Sequence, residues 1–413
     1  MLADASEQLT GCHIDPIAVR PVEEARGSVR AAMDSDLIVV GGGPVGAALG
    51  LLLPRHGLRA IVLEASEFPR DKPCGEGLLP SGARILQDLG VDLRAAGFPP
   101  LAGVRYRLGE AGRAGSALGR FSSGCGFGVR RLRLDAILAE KAGVRTGVRV
   151  TGVRTDPRGV TVETSRGKLR ARAVIGADGL RSNVRDWLGW TRPPLGTGRY
   201  GLVGHFHVPD LDWGEIRVTL LDEIEVYAAP AAPSELLVAV LGARGSLRGP
   251  GASVRESYRE FVARAHPELA SADLTGRVWG AGPFAVRPST VASDRVFVAG
   301  DAAGFLDPLT GDAISAGLNQ ALALSGLLAC DFDSAPERYR SWWAAQWRRR
   351  RAVGHLARTL TGSSHLAGRA MRGANLRPQA LTSILEVNDG SRPLWRIGLR
   401  DWAALGGFAA SHS

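Results

Sequence analysis

Apolar positions near the start of the chain come as a short unbroken run, Leu37-Ile38-Val39-Val40, then as a longer stretch from Val45 to Leu53, then as a second short run, Ala60-Ile61-Val62-Leu63. A short aliphatic run bounded by turn residues reads as a buried strand, and the longer stretch between two such runs as the helix of a parallel strand-helix-strand unit. Arg295-Val296-Phe297-Val298-Ala299 repeats the strand pattern. From residue 200 the pattern changes. Tyr200–Val208, Glu215–Leu220, Ile224–Ala228 and Leu236–Leu241 show strand-like alternation or apolar runs broken by Pro, Asp and Gly, which predicts an antiparallel sheet. Ser253–Ala265 then carries apolar or aromatic residues at Val254, Tyr258, Phe261, Val262 and Ala265, the spacing of a helix. Beyond residue 330 a long helix holding Trp342, Trp343 and Trp347 is expected, followed by helical segments around Leu356–Arg372 and Gln379–Val387.

The turn between the first strand and its helix is Gly41-Gly42-Gly43-Pro44-Val45-Gly46, and Glu64 closes the next strand 18 residues after Gly46. With these flanks the glycines have separate tasks. Gly41 allows the sharp turn, Gly43 lets a backbone approach a pyrophosphate, and Gly46 lets the helix lie close to the sheet. The pyrophosphate would rest on unpaired N–H groups of the helix start. Glu64 is placed to accept hydrogen bonds from a ribose 2′,3′-diol and would repel a 2′-phosphate, which fits FAD or NAD.

Two later stretches favour FAD. Val174-Ile175-Gly176-Ala177-Asp178-Gly179-Leu180-Arg181-Ser182 resembles the second fingerprint of the class A flavoprotein monooxygenases, and Arg295–Gly311, containing Gly300-Asp301-Ala302-Ala303, resembles their third. Arg131-Leu132-Arg133-Leu134-Asp135 is similar to their Arg-x-x-x-Asp segment. The resemblance covers residues 36 to 329. It implies that Asp301 binds the ribityl hydroxyls, that Arg131 contacts FAD, and that the Pro308–Gly311 loop and the following helix start lie against the isoalloxazine ring. Gly41, Gly43, Val45, Gly46, Glu64, Arg131, Asp178, Gly300, Asp301, Gly311 and Ala313 are thus the expected FAD-binding residues. The family has Gly-x-Gly where this chain has Gly311-Asp312-Ala313, so Ala313 departs from the pattern. The fold expected is α/β, a Rossmann-type FAD-binding domain over 33–190 and 277–330, with pocket insertions near 70–130. It is interleaved with an antiparallel-sheet substrate domain over 191–276 and followed by C-terminal helices over 331–413.

Length and composition support a core of this size: 413 residues, 45% of them hydrophobic. Residues 1–32 lack the apolar segment of a signal peptide and are expected to be a disordered extension. No apolar run approaches the roughly 20 residues that span a bilayer. Cys12, Cys74, Cys125 and Cys330 are scattered, indicating neither a disulfide framework nor a metal site and fitting a reducing cytoplasm. The net charge of +10 resides in the tail: Glu337–Ser413 holds thirteen Arg, no Lys and four acidic residues, a net +9. Arginines beside tryptophans suit either an interfacial helix touching a membrane surface or, preferred here, a helix that caps the FAD domain and solvates its charge. Nucleic acid is not an expected partner, because no binding module accompanies the charge.

Several residues are candidates for the pocket above the flavin. His205 and His207 share one face of a strand, as acid/base groups, polar anchors or solvated residues. Tyr227-Ala228-Ala229-Pro230 occupies the place of the aromatic box of geranylgeranyl reductases but lacks most of it, and the Trp-x-Trp-x-Ile-Pro segment of flavin halogenases is absent. Cys74-Gly75-Glu76-Gly77-Leu78 resembles a reductase loop near the flavin face, where Cys74 is a pocket residue or a small filler. Pro308 completes the set. The family resemblance implies a monooxygenase that consumes NADH or NADPH and O2 and hydroxylates an aromatic or polycyclic small molecule through a flavin C4a-hydroperoxide. The Cys74 loop keeps a flavin-dependent reductase of isoprenoid double bonds as the alternative, and a non-catalytic FAD-binding protein stands as the second.

Overall fold

The computed structural model describes residues 33–193, 198–249 and 252–406; the expected extension over 1–32 lies outside them. The first sheet runs in the order Ala292–Ser293, Val296–Val298, Gly167–Gly176, Ser35–Val40, Ala60–Leu63. Its three inner pairings are parallel, with Val39 opposite Ile175 and Val62, and Ile175 opposite Phe297. All four side chains are at most 2% exposed, which is why these strands read as unbroken apolar runs. Parallel register brings three remote chain segments to one edge. The Ala177 amide donates to the Val40 carbonyl (2.7 Å) and the Ala299 amide to the Gly176 carbonyl (2.9 Å), so the three glycine motifs leave the sheet side by side. Open α/β sheets bind ligands at this carboxyl edge.

The glycine-turn helix, Pro44–Arg55, packs Leu49 and Leu53 into the same core as Leu318, Ala321 and Leu324 of the helix Ala313–Cys330. Contrary to the expectation from the sequence, this second helix is long and apolar enough to cross a membrane by length and composition. It instead contributes ten buried residues to the structure, each large aliphatic one favouring burial by about 1.5–3 kcal/mol.

The second sheet runs Asp273–Ala281, Arg199–His207, Glu235–Ala243, Ile224–Ala232, Ile216–Leu221, Gly103–Leu108, Gly115–Arg120. Its neighbours are antiparallel except Ile216–Leu221 with Gly103–Leu108. The two strands from 103–120 carry Arg105 and Arg107 beside several glycines and give little apolar signal; Arg105 instead ion-pairs Glu215 on the parallel neighbour. Side chains alternate between faces. Val226, Ala228, Val238 and Val240 meet Tyr258, Phe261 and Val262 of the helix Val254–Ala265, whose start is closed by a Ser253–Glu256 capping box. Val203, Tyr227, Ala229 and Ala239 take the opposite face.

Beyond residue 330, helices Ala335–Thr361, Ser364–Leu376 and Gln379–Asp389 cover both sheets. Trp342 and Trp343 pack against the first core, Trp343 stacks on Trp347 at 5.0 Å, and the Tyr339 hydroxyl donates to the Val298 carbonyl at 3.0 Å. Of the four consecutive arginines, Arg348 and Arg351 face solvent while Arg349 and Arg350 turn inward. Cys74 and Cys125 carry free thiols.

Candidate cofactor and substrate site

The glycine turn is fixed by contact. Gly41 has φ +105°, and a Cβ there would meet the Ala177 carbonyl oxygen at 2.5 Å; one on Gly46 would lie 1.8 Å from the Gly41 oxygen. Gly43 is different. A Cβ there would meet nothing nearer than the Arg131 and Arg70 guanidinium nitrogens at 3.8 Å, so it would occupy the cavity itself. The helix starting at Pro44 has no side-chain cap, which leaves its first N–H groups free for an anion. Val45 wedges between Gly300 and Gly317, locking the first motif to the third.

Glu64 stands behind this turn. Its Oε2 accepts from the Gly42 amide (2.9 Å) and Arg70 (3.1 Å), and its Oε1 from the Ser66 amide (3.0 Å). Burial opposes its charge, yet Arg70 and the two amides outweigh that and hold the carboxyl below its usual range. Arg70 continues to Asp135 (2.9 Å), which Arg131 grips through two further bonds of 2.7 and 2.6 Å. Arg131 is thereby held at the cavity edge with its charge compensated from behind. Asp178 lines the cavity as well, but its carboxylate accepts from the Ser182 hydroxyl and the Val184 amide and so holds the start of its own short helix. Asp301 sits in the turn Gly300–Ala303. Burial pushes its carboxyl up, against the pull of Lys72, Arg350 and Arg131.

These groups enclose a cavity of about 450 Å³ between the two sheets. Of the residues singled out from the sequence, Gly43, Val45, Cys74, Arg131, Asp178, Tyr227, Gly300, Asp301, Pro308, Gly311 and Ala313 line it. Gly41, Gly46 and Glu64 shape the turn behind it. His205 and His207 do not line it: His205 is buried with its Nε2 2.9 Å from Glu76 Oε2, and His207 is exposed at the strand end.

The far wall is apolar. Leu241, Trp279, Phe284 and Phe305 face the cavity, with the rings of Phe284 and Phe305 5.4 Å apart. Ala313 packs against this group, so the methyl that departs from the family's Gly-x-Gly extends the apolar wall. Tyr227 presents its ring to the cavity, while its hydroxyl is tucked against Gly77 with no hydrogen-bond partner. Cys74 lies beside it, and burial pushes its thiol up, so it is a neutral group rather than a thiolate.

Glu76 is the residue that sequence reading missed. It is 1% exposed and has φ +54°, a left-handed conformation that costs a residue with a Cβ. Its Oε1 accepts from the Arg131 amide (2.8 Å) and from Arg130 (3.0 Å), and its Oε2 meets His205. Arg130 adds a bidentate pair with Asp71 (2.8 and 2.9 Å) and a bond to Glu235 (2.9 Å). The only hint in the sequence was a charged residue between two glycines in Gly75-Glu76-Gly77.

A protein-family model described as an FAD binding domain matches residues 34–341. The chain belongs to the class A flavoprotein monooxygenase family. Rifampicin monooxygenase from Streptomyces venezuelae is 30% identical to the flavoprotein over 318 residues, 73% of this chain, which spans 66% of that relative, just under two thirds. Menaquinone reductase from Mycobacterium tuberculosis is 29% identical over 335 residues, 75% of this chain and 78% of that one. Among solved structures, a flavoprotein/dehydrogenase from Cytophaga hutchinsonii superposes with a TM-score of 0.76 at 20% identity, covering 90% and 96% of the two chains. PqsL of Pseudomonas aeruginosa gives 0.66 at 23% identity over 80% and 97%. FAD is the cofactor of this family. The site in this chain suits that cofactor: an opening at Gly43 that any side chain would fill, an uncapped helix start, and cations facing the cavity. Among the described residues no cluster suited to a metal ion is present.

Proposed function

We propose that the flavoprotein is a monooxygenase that uses NADH or NADPH to hydroxylate an aromatic or polycyclic small molecule with O2. The observation that carries this reading is the aromatic and aliphatic wall of Leu241, Trp279, Phe284 and Phe305, set across one cavity from the FAD motifs. In this reading the FAD pyrophosphate lies on the helix start at Pro44, Glu64 receives the adenosine ribose, Asp301 the ribityl hydroxyls, and the turn Pro308–Ala313 the ring. FAD supplies hydride acceptance and oxygen activation; this chain supplies position and dryness. Phe284 and Phe305 orient a flat apolar substrate, Trp279 screens it from water under the Arg277 guanidinium, which lies 3.3 Å from its ring centroid, and no protein nucleophile is needed. The rifampicin monooxygenase likeness agrees with oxygen insertion.

A reductase of isoprenoid double bonds is the second reading. It is favoured by the neutral Cys74 thiol at the cavity and by the likeness to menaquinone reductases. Product mass separates the two. Substrate-dependent O2 uptake with gain of one oxygen atom is the result expected, and gain of two hydrogens without O2 uptake would transfer the assignment to the reductase. Phe284→Ala tests the wall itself. Removing a buried aromatic contact costs about 1.5–3 kcal/mol, so KM should rise at least about tenfold while FAD content is unchanged.

A further inference from the structure

The helix Ala313–Cys330 opens onto the cavity, where Gly311, Asp312, Ala313 and Ile314 all line the wall. Its first turn lacks the usual closure. Asp312 occupies the N-cap position, yet it has helical backbone angles (φ −96°, ψ −3°) and makes no side-chain cap. The carboxylate is committed to other partners. Arg350 Nε donates to Oδ2 at 2.7 Å and Arg350 Nη2 to Oδ1 at 3.3 Å, and the Thr310 hydroxyl donates to Oδ1 at 2.6 Å. The pair is 9% and 4% exposed, a setting in which neither charge is tolerated alone. Burial alone would push the Asp312 carboxyl up, but Arg350 and the Thr310 hydroxyl hold it below its usual range, so the pair is ionised. Arg349 contributes charge nearby without touching Asp312.

An uncapped helix start carries partial positive charge on its free N–H groups. A carboxylate beside it would cancel that field unless a cation offsets it, and the offsetting cation comes from the C-terminal helix Ala335–Thr361. We propose that Arg350 is a positioning residue that neutralises Asp312, so that the start of the helix Ala313–Cys330 stabilises the negative charge taken on by the flavin ring when it is reduced. The inference rests on the reading that the ring lies at Pro308–Ala313. It makes the C-terminal arginine a determinant of flavin reduction potential rather than of solubility alone.

The test is the midpoint potential of purified FAD-loaded protein, measured anaerobically against reference dyes, for Arg350→Met, Arg350→Lys, Asp312→Asn and the double variant Asp312→Asn/Arg350→Met. Arg350→Met should weaken binding of reduced relative to oxidised FAD at least tenfold, about 30 mV lower for a two-electron couple. Asp312→Asn should shift the potential upward, Arg350→Lys should stay near the parent, and the double variant should return to it. An unchanged potential in Arg350→Met, or a double variant as low as Arg350→Met, overturns the proposal. If Arg350→Met does not fold, an unchanged potential in Asp312→Asn overturns it equally. Asp301→Ala separates this from the underlying site assignment: retention of FAD there rejects the assignment, whereas loss of FAD there with unchanged potentials in the Arg350 series rejects only the role of Arg350.

Discussion

Asp301→Ala is expected to yield a colourless protein that keeps its fold but no longer retains FAD through purification. Asp301 is presented by a tight turn after Val296–Val298, and among the described residues no protein group donates a hydrogen bond to its carboxylate. Lys72, Arg131 and Arg350 lie close enough to favour its charge, yet burial still pushes its carboxyl up, the state of an acceptor that gains from hydroxyl partners supplied by a ligand. Each hydrogen bond to a charged group contributes about 1.5–3 kcal/mol. Loss of two would weaken FAD binding about 100-fold or more, measurable as flavin fluorescence released on dilution. The melting temperature of the FAD-free protein should hardly move. A variant that stays yellow with the parent's affinity would mean that the ribityl chain lies elsewhere.

The second large effect belongs to Glu76→Ala. Removing the carboxylate strips His205 and Arg130 of a buried partner and leaves the Arg131 amide without its acceptor. Breaking a buried charged network from one side costs about 3–5 kcal/mol, to be read from denaturant unfolding of the FAD-loaded protein. Glu76→Gln keeps the shape and one acceptor oxygen, so it should lose much less. Glu76→Gly should recover about 1 kcal/mol relative to Glu76→Ala, because the left-handed backbone at φ +54° no longer strains a Cβ. Equal losses in Ala and Gln would show that the carboxylate charge, not its geometry, holds the loop.

Much of this site could be read along the chain because its parts are local. A strand, a glycine turn and a helix start occupy Leu37–Leu53, and Gly41, Gly46 and Gly50 there answer to contacts within a few residues or beside the neighbouring parallel strands. The same holds for Asp301, which follows its own strand directly. What the sequence concealed is assembled across distance. Glu76 meets His205 from 129 positions away, and Asp312 meets Arg350 from 38. Trp279, Phe284 and Phe305 share a wall only because the strand Asp273–Ala281 lies at one edge of the second sheet. The histidines show another limit. Alternation placed His205 and His207 on one strand face, but it could not show that Glu76 covers the first and that the second ends at the rim. The strands from 103–120 escaped because their arginines break the apolar pattern: Arg105 pairs with Glu215, and Arg107 bonds His266 and the Ala111 carbonyl.

The short stretch Arg70–Glu76 has a consequence for anyone wishing to retarget this enzyme. Arg70 reaches Glu64 and Asp135 on the cofactor side, Asp71 and Glu76 hold Arg130 under the opposite sheet, and Cys74 faces the cavity between them. A substitution made there to admit a new substrate would also disturb the grip on the cofactor, so variation in that stretch is doubly constrained. Of the wall, Trp279 lies outside the FAD motifs and outside the cluster that Leu241, Phe284 and Phe305 form with Ala313, so a library directed at that position would sample new shapes of pocket while the flavin stays bound.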